Sequence, residues 1–319
     1  MARNPIQMQK GMSLSELFEK YGTEEQCEAA LTAWRWPDGF VCPHCEECDH
    51  AVVGQRCLYL CHGCRKQTSL TAGTVFANTH LPLTKWFQGM YLLTQAKNSI
   101  STLELARQLG VRPDTAALMR HKLMSVMAER EAARKLDGRV EMDDAVLGGE
   151  KSELDGGKRG RDGPNKISFV IAVATNEKGH PRHLLLHAVD KHNSKSIKAM
   201  ALAHLASTAC VVTDGLACFR AVTKAGCRHV RIVTGRARQQ PEKIPAFRWV
   251  NTVLGNVKTA ITGTLKWVSK RYAYRYLAEF QYRFNRRIAL PEMLARLAYI
   301  ATRAAPRPYN VLKIAYESG

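Results

Sequence analysis

The most informative segment of the sequence is Val140-Glu141-Met142-Asp143-Asp144-Ala145-Val146-Leu147-Gly148-Gly149-Glu150. It holds four acids and no base, in a chain whose lysines and arginines outnumber its acids by 47 to 28. A run of charge is most often a solvated face. Here, however, the acids stand beside Val140, Val146 and Leu147, and this pattern indicates a strand edge. Carboxylates held at the end of a strand are typical ligands of divalent metal ions.

The residues after this strand predict an alternating α/β domain. Two further strands are predicted at Ile167–Thr175 and 183–189, joined by the turn Asn176-Glu177-Lys178-Gly179. A helix, a strand, a helix, a strand and two long helices follow, at 194–206, 209–214, 215–225, 229–233, 247–263 and 268–287. Three antiparallel strands and then a strand–helix alternation is the order of an RNase H-like fold.

Composition narrows the class of partner. The 319 residues suffice for two domains with sizeable cores, because 45% of them are hydrophobic. The net charge of +19 favours a polyanionic partner, most often nucleic acid. Residues 227–287 carry 14 Lys and Arg against Glu242 and Glu279, which is +12 of that total. No apolar run approaches the roughly 18 residues of a membrane span, and no signal core follows Met1, so we expect a cytoplasmic protein.

A second acid, Asp214, ends the fourth predicted strand. Adjacent strand ends would bring Asp143 and Asp214 together, and divalent metal relieves the repulsion between two such carboxylates. Two Mg²⁺ ions in such a site activate a water or a 3′-hydroxyl and stabilise the leaving oxygen. The alternative for Asp214 is a helix N-cap, since Asp214-Gly215 precedes a predicted helix.

A third ligand would come from a later helix, where Asn251 is suitably placed. Lys258 follows seven residues later, about 20° out of line and roughly 10 Å along the same helix. We therefore expect Asn251 to face the metals and Lys258 to reach a DNA phosphate. Taken alone, Asn251 fits an N-cap or a surface amide. Glu279 is the competing third ligand, unless it pairs with Arg275 or Arg283 one turn away.

Ten cysteines include one strong motif. Cys42-Pro43-His44-Cys45 and Cys61-His62-Gly63-Cys64 are separated by fifteen residues, which is the spacing of two knuckles around a tetrahedral zinc ion. The alternative is two redox or disulfide pairs, which a protein without a signal peptide disfavours. Cys48 is the neighbour most able to compete as a ligand. A closed four-thiolate site leaves no open position, so the zinc is expected to be structural.

Residues 83–134 predict helices in the order of a helix-turn-helix. Ser101-Thr102-Leu103-Glu104 is a capping box, Gly110 a C-cap, and Pro113 opens the next helix. On that helix we expect Arg112, Arg120 and Lys122 to lie outward and contact DNA. The alternative is an ordinary helical hairpin. The Gly-rich loop 151–165, with Lys158 and Arg159, fits a phosphate-tracking loop or a flexible hairpin tip equally.

Together these motifs make residues 12–315 resemble bacterial DDE-type insertion-sequence transposases with an N-terminal zinc ribbon. The similar group is the insertion-sequence family numbered fifteen-ninety-five, whose catalytic domain often reads Asp-Asp-Asn-Lys. The resemblance rests on the following segments: 42–45, 61–76, 141–144, 148–149, 212–215, 249–252, 258 and 276–287.

The resemblance implies roles for four residues. Asp143 and Asp214 would bind the metals, Asn251 would replace the usual Glu, and Lys258 would support the DNA. Family members more often have Glu after the first Asp, where this chain has Asp144, so either Asp143 or Asp144 is the inward ligand. A neutral Asn leaves one negative charge fewer, so metal binding should be weaker.

The sequence therefore predicts three regions: an N-terminal helix and zinc ribbon over 1–78, a helix-turn-helix over 79–136, and an RNase H-like transposase domain over 137–319. The predicted function is binding of terminal inverted repeats and Mg²⁺-dependent strand cleavage and transfer, by a homo-oligomer associated with the nucleoid. The surplus charge of the helices after Asn251 is expected to line the DNA. A DNA-binding regulator without chemistry is the alternative, and a structure-specific nuclease is a third possibility.

Overall fold

The computed structural model describes residues 10–54, 58–148, 166–233, 245–265 and 268–314. The chain forms two compact units. One, the outer unit, comprises Met1–Val126 and Ile288–Gly319, and the other, the inserted unit, comprises Met127–Arg287. The chain therefore leaves the outer unit and returns to it after completing the inserted one.

The α-helices of the described residues, α1 to α10 in chain order, are Leu14–Tyr21, Glu24–Arg35, Leu83–Gln95, Thr102–Leu109, Pro113–Ala132, Ser194–His204, Arg248–Leu265, Ala273–Arg286, Met293–Ala301 and Tyr309–Ile314. The strands, β1 to β8, are His50–Val53, Leu58–Cys61, Gln67–Ser69, Arg139–Leu147, Ile167–Thr175, Pro181–Ala188, Cys210–Thr213 and Arg228–Arg231. Short 3₁₀ helices span Ala217–Ala225, Pro245–Phe247, Lys270–Tyr272 and Arg287–Glu292.

The outer unit joins the two ends of the chain in one helical core. Capping boxes begin α1 at Ser13 and α2 at Thr23, where side chain and backbone satisfy each other's open groups. Helix α9 packs against α2 and α3 and buries its apolar face, including Leu294 and Leu297. The Gln95 side chain, which ends α3, donates to the carbonyl oxygen of Leu290 at 3.1 Å.

The cysteine-rich segment folds into a small antiparallel sheet in the order β1-β2-β3. Its core is aromatic, with the rings of Phe40 and Tyr59 stacked at 5.1 Å between centroids and Trp36 edge-on to both. The Arg35 guanidinium, at the end of α2, donates to the carbonyl oxygens of Ser69, the last residue of β3, and of Leu70 and Ala72 just after it. Helix and sheet are therefore tied together within the outer unit.

The inserted unit is built on a five-stranded mixed sheet in the order β6-β5-β4-β7-β8. Strands β4, β5 and β6 are antiparallel, whereas β7 and β8 run parallel to β4. The three antiparallel strands followed by parallel ones agree with the chain order that the sequence predicts. The apolar run of β5 is buried along its whole length, and its bounds agree with the prediction. The predicted helix at 215–225 is a 3₁₀ helix over Ala217–Ala225.

Helices cover both faces of this sheet. Residues of even number in β4, such as Val140 and Met142, pack with α6 and the 3₁₀ helix Ala217–Ala225. Residues of odd number, such as Ala145 and Leu147, pack with α7 and α8 on the other face. This alternation follows from the strand period of two. It also decides which helix each acid of β4 faces.

Candidate functional site

Three carboxylates meet where β4 and β7 run side by side. The last paired residues of these parallel strands are Met142 and Thr213, so Asp143 and Asp214 come next on each strand. Oxygen atoms of Asp143, Asp144 and Asp214 lie within 4.8 Å of one another. The sequence-based expectation that Asp143 and Asp214 lie together is thus confirmed, and Asp144 joins them.

Asp143 and Asp144, between which the sequence left the choice open, both contribute to the carboxylate group. Neighbouring strand residues point to opposite faces, so by alternation Asp143 faces α7 and Asp144 faces α6. Their carboxylates nevertheless converge, and the backbone N–H of Asp144 donates to Oδ1 of Asp143 at 2.8 Å. Both acids are half-buried, as is Asp214. Three hard oxygen donors at this spacing match the ligand chemistry of Mg²⁺.

Asp214 also orders the turn that follows β7. Its Oδ1 accepts a hydrogen bond from the backbone N–H of Leu216 at 3.0 Å. Leu216 is the residue that caps the 3₁₀ helix, so Asp214 braces the turn without being the N-cap itself. The preceding Thr213 is fully buried, and its Oγ1 lies 2.8 Å from Nε2 of His229 on β8. The end of β7 that carries Asp214 is therefore fixed both by the following turn, through Leu216, and by the neighbouring strand β8, through His229.

Negative charge accumulates at this point. Burial raises the pKa of the Cys218 thiol on the 3₁₀ helix, and the nearby carboxylates of Asp144 and Asp214 raise it further. A bound cation would relieve the same field. The site is therefore electrostatically suited to a divalent metal.

Helix α7 carries both Asn251 and Lys258, as expected. Asn251 lies in the first turn and is half-buried, whereas Lys258 is exposed two turns later. The start of α7 is fixed to β4 by Glu141, a buried carboxylate to which the sequence assigned no individual role. Its Oε2 accepts from the backbone N–H groups of Trp249 and Val250 at 2.8 and 3.0 Å. A carboxylate used far from the helix in sequence leaves no local motif, so the sequence did not reveal it.

The acid that competed with Asn251 lies elsewhere. Glu279 is buried on α8 and forms an ion pair with Arg283 at 3.7 Å, as one of the sequence-based alternatives expected. Among the described residues it is not part of the carboxylate group. Arg275, Arg283 and Arg286 are also buried. The expectation that the charges of this helix line a DNA surface is wrong for these three side chains, because they face the core.

The four motif cysteines converge at a second place. Their sulfur atoms all lie within 4.8 Å of one another, with 3.6 Å between Cys42 and Cys64 and 3.5 Å between Cys45 and Cys61. A tetrahedron with Zn–S bonds of about 2.3 Å has edges of about 3.8 Å. These separations are far longer than the roughly 2.05 Å of a disulfide. The thiols thus have the arrangement of a zinc site, and the disulfide alternative is excluded for them.

The surroundings shift the pKa values of two of the thiols in opposite directions. A backbone hydrogen bond at Glu47 lowers the pKa of Cys45, but the neighbouring thiols and burial outweigh it and raise this pKa to about 12. Although burial alone raises the pKa of Cys42, hydrogen bonds from the backbone at His44 and Cys45 outweigh it and lower the pKa of this thiol to about 7. Cys48 is exposed and does not belong to the group, so it does not compete for the same position.

The predicted helix-turn-helix segment contains α4, a short turn and the start of α5. Ser101 accepts from the backbone N–H of Glu104 at the start of α4, and Gly110 ends it with a φ of 62°. The capping box is incomplete, because the Glu104 carboxylate accepts from Arg107 and Gln108 instead. The order and ends of these helices agree with the prediction.

Two of the three basic residues assigned to the outward face point inward. Arg120 is fully buried and donates to Oγ of Ser99 at 2.6 Å. Lys122 is buried and donates to the carbonyl oxygen of Val75 at 3.1 Å. Their predicted outward placement is wrong, because this side of α5 packs into the outer unit. Arg112 is exposed, as expected.

The remaining predicted contacts, Lys158 and Arg159, lie outside the described residues. In the described part of the chain, every helix is too short or too polar to cross a bilayer.

Comparison with known proteins adds independent evidence. Residues 135–285 match the ISXO2-like transposase domain, and residues 22–67 match the transposase zinc-ribbon domain. The chain is also similar to a protein of Halobacterium salinarum, described as an uncharacterized protein in transposable element ISH50. The two are 29% identical over 151 residues, which cover 45% of this chain. The chain spans about half of that relative, since the match covers 47% of its length.

Proposed function

We propose that the chain is a DNA transposase, because residues 135–285 match the ISXO2-like transposase domain and residues 22–67 match the transposase zinc-ribbon domain. It binds the terminal inverted repeats of an insertion sequence and performs Mg²⁺-dependent strand cleavage and transfer. The observation that carries this proposal is the convergence of Asp143, Asp144 and Asp214 within the matched domain. The mixed order β6-β5-β4-β7-β8 is consistent with an RNase H-like catalytic domain.

In this proposal the carboxylates hold the metal. Asp143 and Asp214 are the ligands, and Asp144 supplies a third negative charge where Asn251 is neutral. Bound Mg²⁺ ions would lower the pKa of a water or 3′-hydroxyl and stabilise the departing phosphate oxygen. Lys258, exposed two turns beyond Asn251, binds a phosphate of the DNA backbone.

DNA recognition belongs to the N-terminal part of the chain. The thiols of Cys42, Cys45, Cys61 and Cys64 bind one structural Zn²⁺, which supports their small sheet. Helices α4 and α5 form a helix-turn-helix in which Arg112 contacts DNA. Lys158 and Arg159 contribute further phosphate contacts. Because two element ends must be joined, the protein acts as a homo-oligomer on DNA in the nucleoid.

Substitution of the carboxylates tests the catalytic proposal. The substrate is a labelled duplex from the DNA that flanks the gene, incubated with Mg²⁺, with Mn²⁺ or with EDTA. Asp143→Asn and Asp214→Asn should each reduce cleavage at least a thousandfold and leave binding of the duplex unchanged. The matched control is Asp190→Asn, since Asp190 is an exposed acid of the same unit. Normal cleavage by Asp214→Asn would falsify the assignment.

The same assay separates the alternative functions. A regulator derived from a transposase binds the duplex and cleaves nothing under any metal condition. A structure-specific nuclease cleaves but joins no 3′ end to a second duplex. Asp144→Asn shows whether the third carboxylate takes part. If Asp144 is a metal ligand, its replacement should weaken the apparent affinity for Mg²⁺.

A further inference from the structure

We propose that Glu141 is a positioning residue that clamps the start of α7 to β4 and thereby holds Asn251 at the carboxylate group. This inference rests on the proposed function. Glu141 is only 1% exposed, although it is charged. A carboxylate is buried at large cost unless it is paired and hydrogen-bonded. The hydrogen bonds that the two carboxylate oxygens accept therefore indicate the role of Glu141.

Both oxygens of Glu141 are used at the entrance to α7. Oε2 accepts from the N–H groups of Trp249 and Val250, at 2.8 and 3.0 Å. These groups belong to the first turn, whose N–H donors lack partners within the helix, and a negative charge there also suits the helix dipole. Oε1 accepts from Nη1 of Arg139 at 2.8 Å. The other nitrogen of that guanidinium, Nη2, donates to the carbonyl oxygen of Ala246 at 3.0 Å.

The pair of Arg139 and Glu141 therefore binds the backbone on both sides of the start of α7. Arg139 binds Ala246 before the helix, and Glu141 binds the first turn of the helix. Oε1 and Oε2 are engaged by different elements, so the carboxylate has one orientation. Charge-assisted bonds of this kind are stronger than neutral ones. The clamp thus sets both the height of α7 over the sheet and its rotation.

The register links this clamp to the reacting site. Glu141 precedes Asp143 by two residues and lies on the same face of β4. Val250, which Glu141 binds, is the residue immediately before Asn251. A single side chain thus connects the strand that carries the metal ligands with the helix that carries the amide. In a variant without these contacts, Asp143 and Asn251 keep their positions on β4 and α7, but the distance between the strand and the helix is no longer fixed.

Two variants isolate this role. Glu141→Gln keeps the size of the side chain but removes the charge. Its matched control is Glu131→Gln, because Glu131 is also a buried acid of the inserted unit. Glu131 accepts from Asn285 and Arg286, which lie on α8 and not on α7. Glu141→Asp is a second variant, which keeps the charge but is one methylene too short to span the gap.

Amide hydrogen exchange in the metal-free protein gives the first measurement, and it is independent of activity. Glu141→Gln and Glu141→Asp should accelerate exchange of the amides of Trp249 and Val250 by about tenfold to a hundredfold. Glu131→Gln should leave these two amides unchanged. Unchanged exchange in both Glu141 variants, or equal acceleration by Glu131→Gln, would overturn the clamp.

A double-mutant cycle on cleavage gives the second measurement. Glu141→Gln should slow cleavage about tenfold to a hundredfold in the wild-type background and less than threefold in an Asn251→Ala background, because its effect passes through Asn251. Glu131→Gln should have the same factor in both backgrounds. Equal factors for Glu141→Gln in both backgrounds would show a merely structural role and reject the inference. If the wild-type protein cleaves no DNA, the proposed function fails, and the exchange measurement alone decides on the clamp.

Discussion

Arg120 and Lys122 show that a basic side chain on a helix can be buried and stabilise the protein interior through hydrogen bonds. Their spacing on α5 fits a DNA-facing surface, but both side chains are buried and donate to oxygens of their own unit. Lys122 also lies 5.8 Å from the ring centre of Trp86. Burial lowers the pKa of its ammonium group. Sequence alone does not distinguish these lysines and arginines from exposed ones, because burial depends on elements distant in the chain.

Lys122→Met should therefore weaken the fold and not the contact with DNA. It leaves the carbonyl oxygens of Val75 and Ala77 without this donor, which costs about 1–3 kcal/mol in the free energy of unfolding. The exposed Arg112→Met is the control and should show the reverse pattern. Urea denaturation and DNA titration of both variants provide the check. A stable Lys122→Met protein with weak DNA binding would restore the original sequence-based assignment.

At the scale of the cysteine-rich sheet, the proposed zinc ion would be the main stabilising term. Its three strands are only three or four residues long, and its buried core centres on Phe40, Cys42 and Cys61. A sheet this small rarely persists on apolar burial alone. The sequence predicted this element well, because four thiols at a fixed spacing specify their geometry locally.

Cys45→Ser should abolish the binding of zinc and unfold β1 to β3. Cys48→Ser, three residues away and outside the thiol group, should retain one zinc per chain. Metal content measured by atomic absorption, together with hydrogen exchange of Leu58–Cys61, tests both statements. Loss of zinc in Cys48→Ser would instead make that residue a ligand.

Two glycines in helical segments should respond to substitution in opposite directions. Gly255 lies inside α7, where an added Cβ meets no atom within 4 Å, so Gly255→Ala should stabilise by about 1 kcal/mol. Gly110 ends α4 at a φ of 62°, where an L side chain is strained, so Gly110→Ala should destabilise by about 1–2 kcal/mol. The urea midpoints of the two variants, compared with the wild-type midpoint, test both predictions. A shift of both midpoints in the same direction would contradict the assigned conformations.

For the whole molecule, the sequence predicted the order of elements better than the use of charge. The order of strands and helices along the chain and the meeting of Asp143 with Asp214 follow from apolar runs and strand ends, which are local patterns. The role of Glu141 and the burial of Arg275 depend on tertiary packing, so they emerge only from the structure. The net charge of +19 is thus divided between surface and interior.

Despite this division, DNA binding should depend steeply on salt. A protein that neutralises six to ten phosphates loses about 10³-fold to 10⁵-fold in affinity between 50 and 200 mM salt. Fluorescence titration of a duplex over this range gives the slope of log K against log salt. Arg112→Gln should reduce that slope by about one. A slope near zero would indicate that the surplus charge does not contact DNA.

The return of the chain to the outer unit has a consequence for damaged copies of the gene. Helix α9 supplies part of the core that α2 and α3 need, and it comes after the inserted unit has been synthesised. A stop codon within the inserted unit therefore also removes α9, and the apolar surfaces of α2 and α3 lose the helix that packs against them. Such a truncation should leave an unstable polypeptide open to proteolysis, not a stable fragment that competes with the intact protein for the proposed DNA site. The proposed DNA recognition and the proposed catalysis would in this way be lost together when the reading frame is broken.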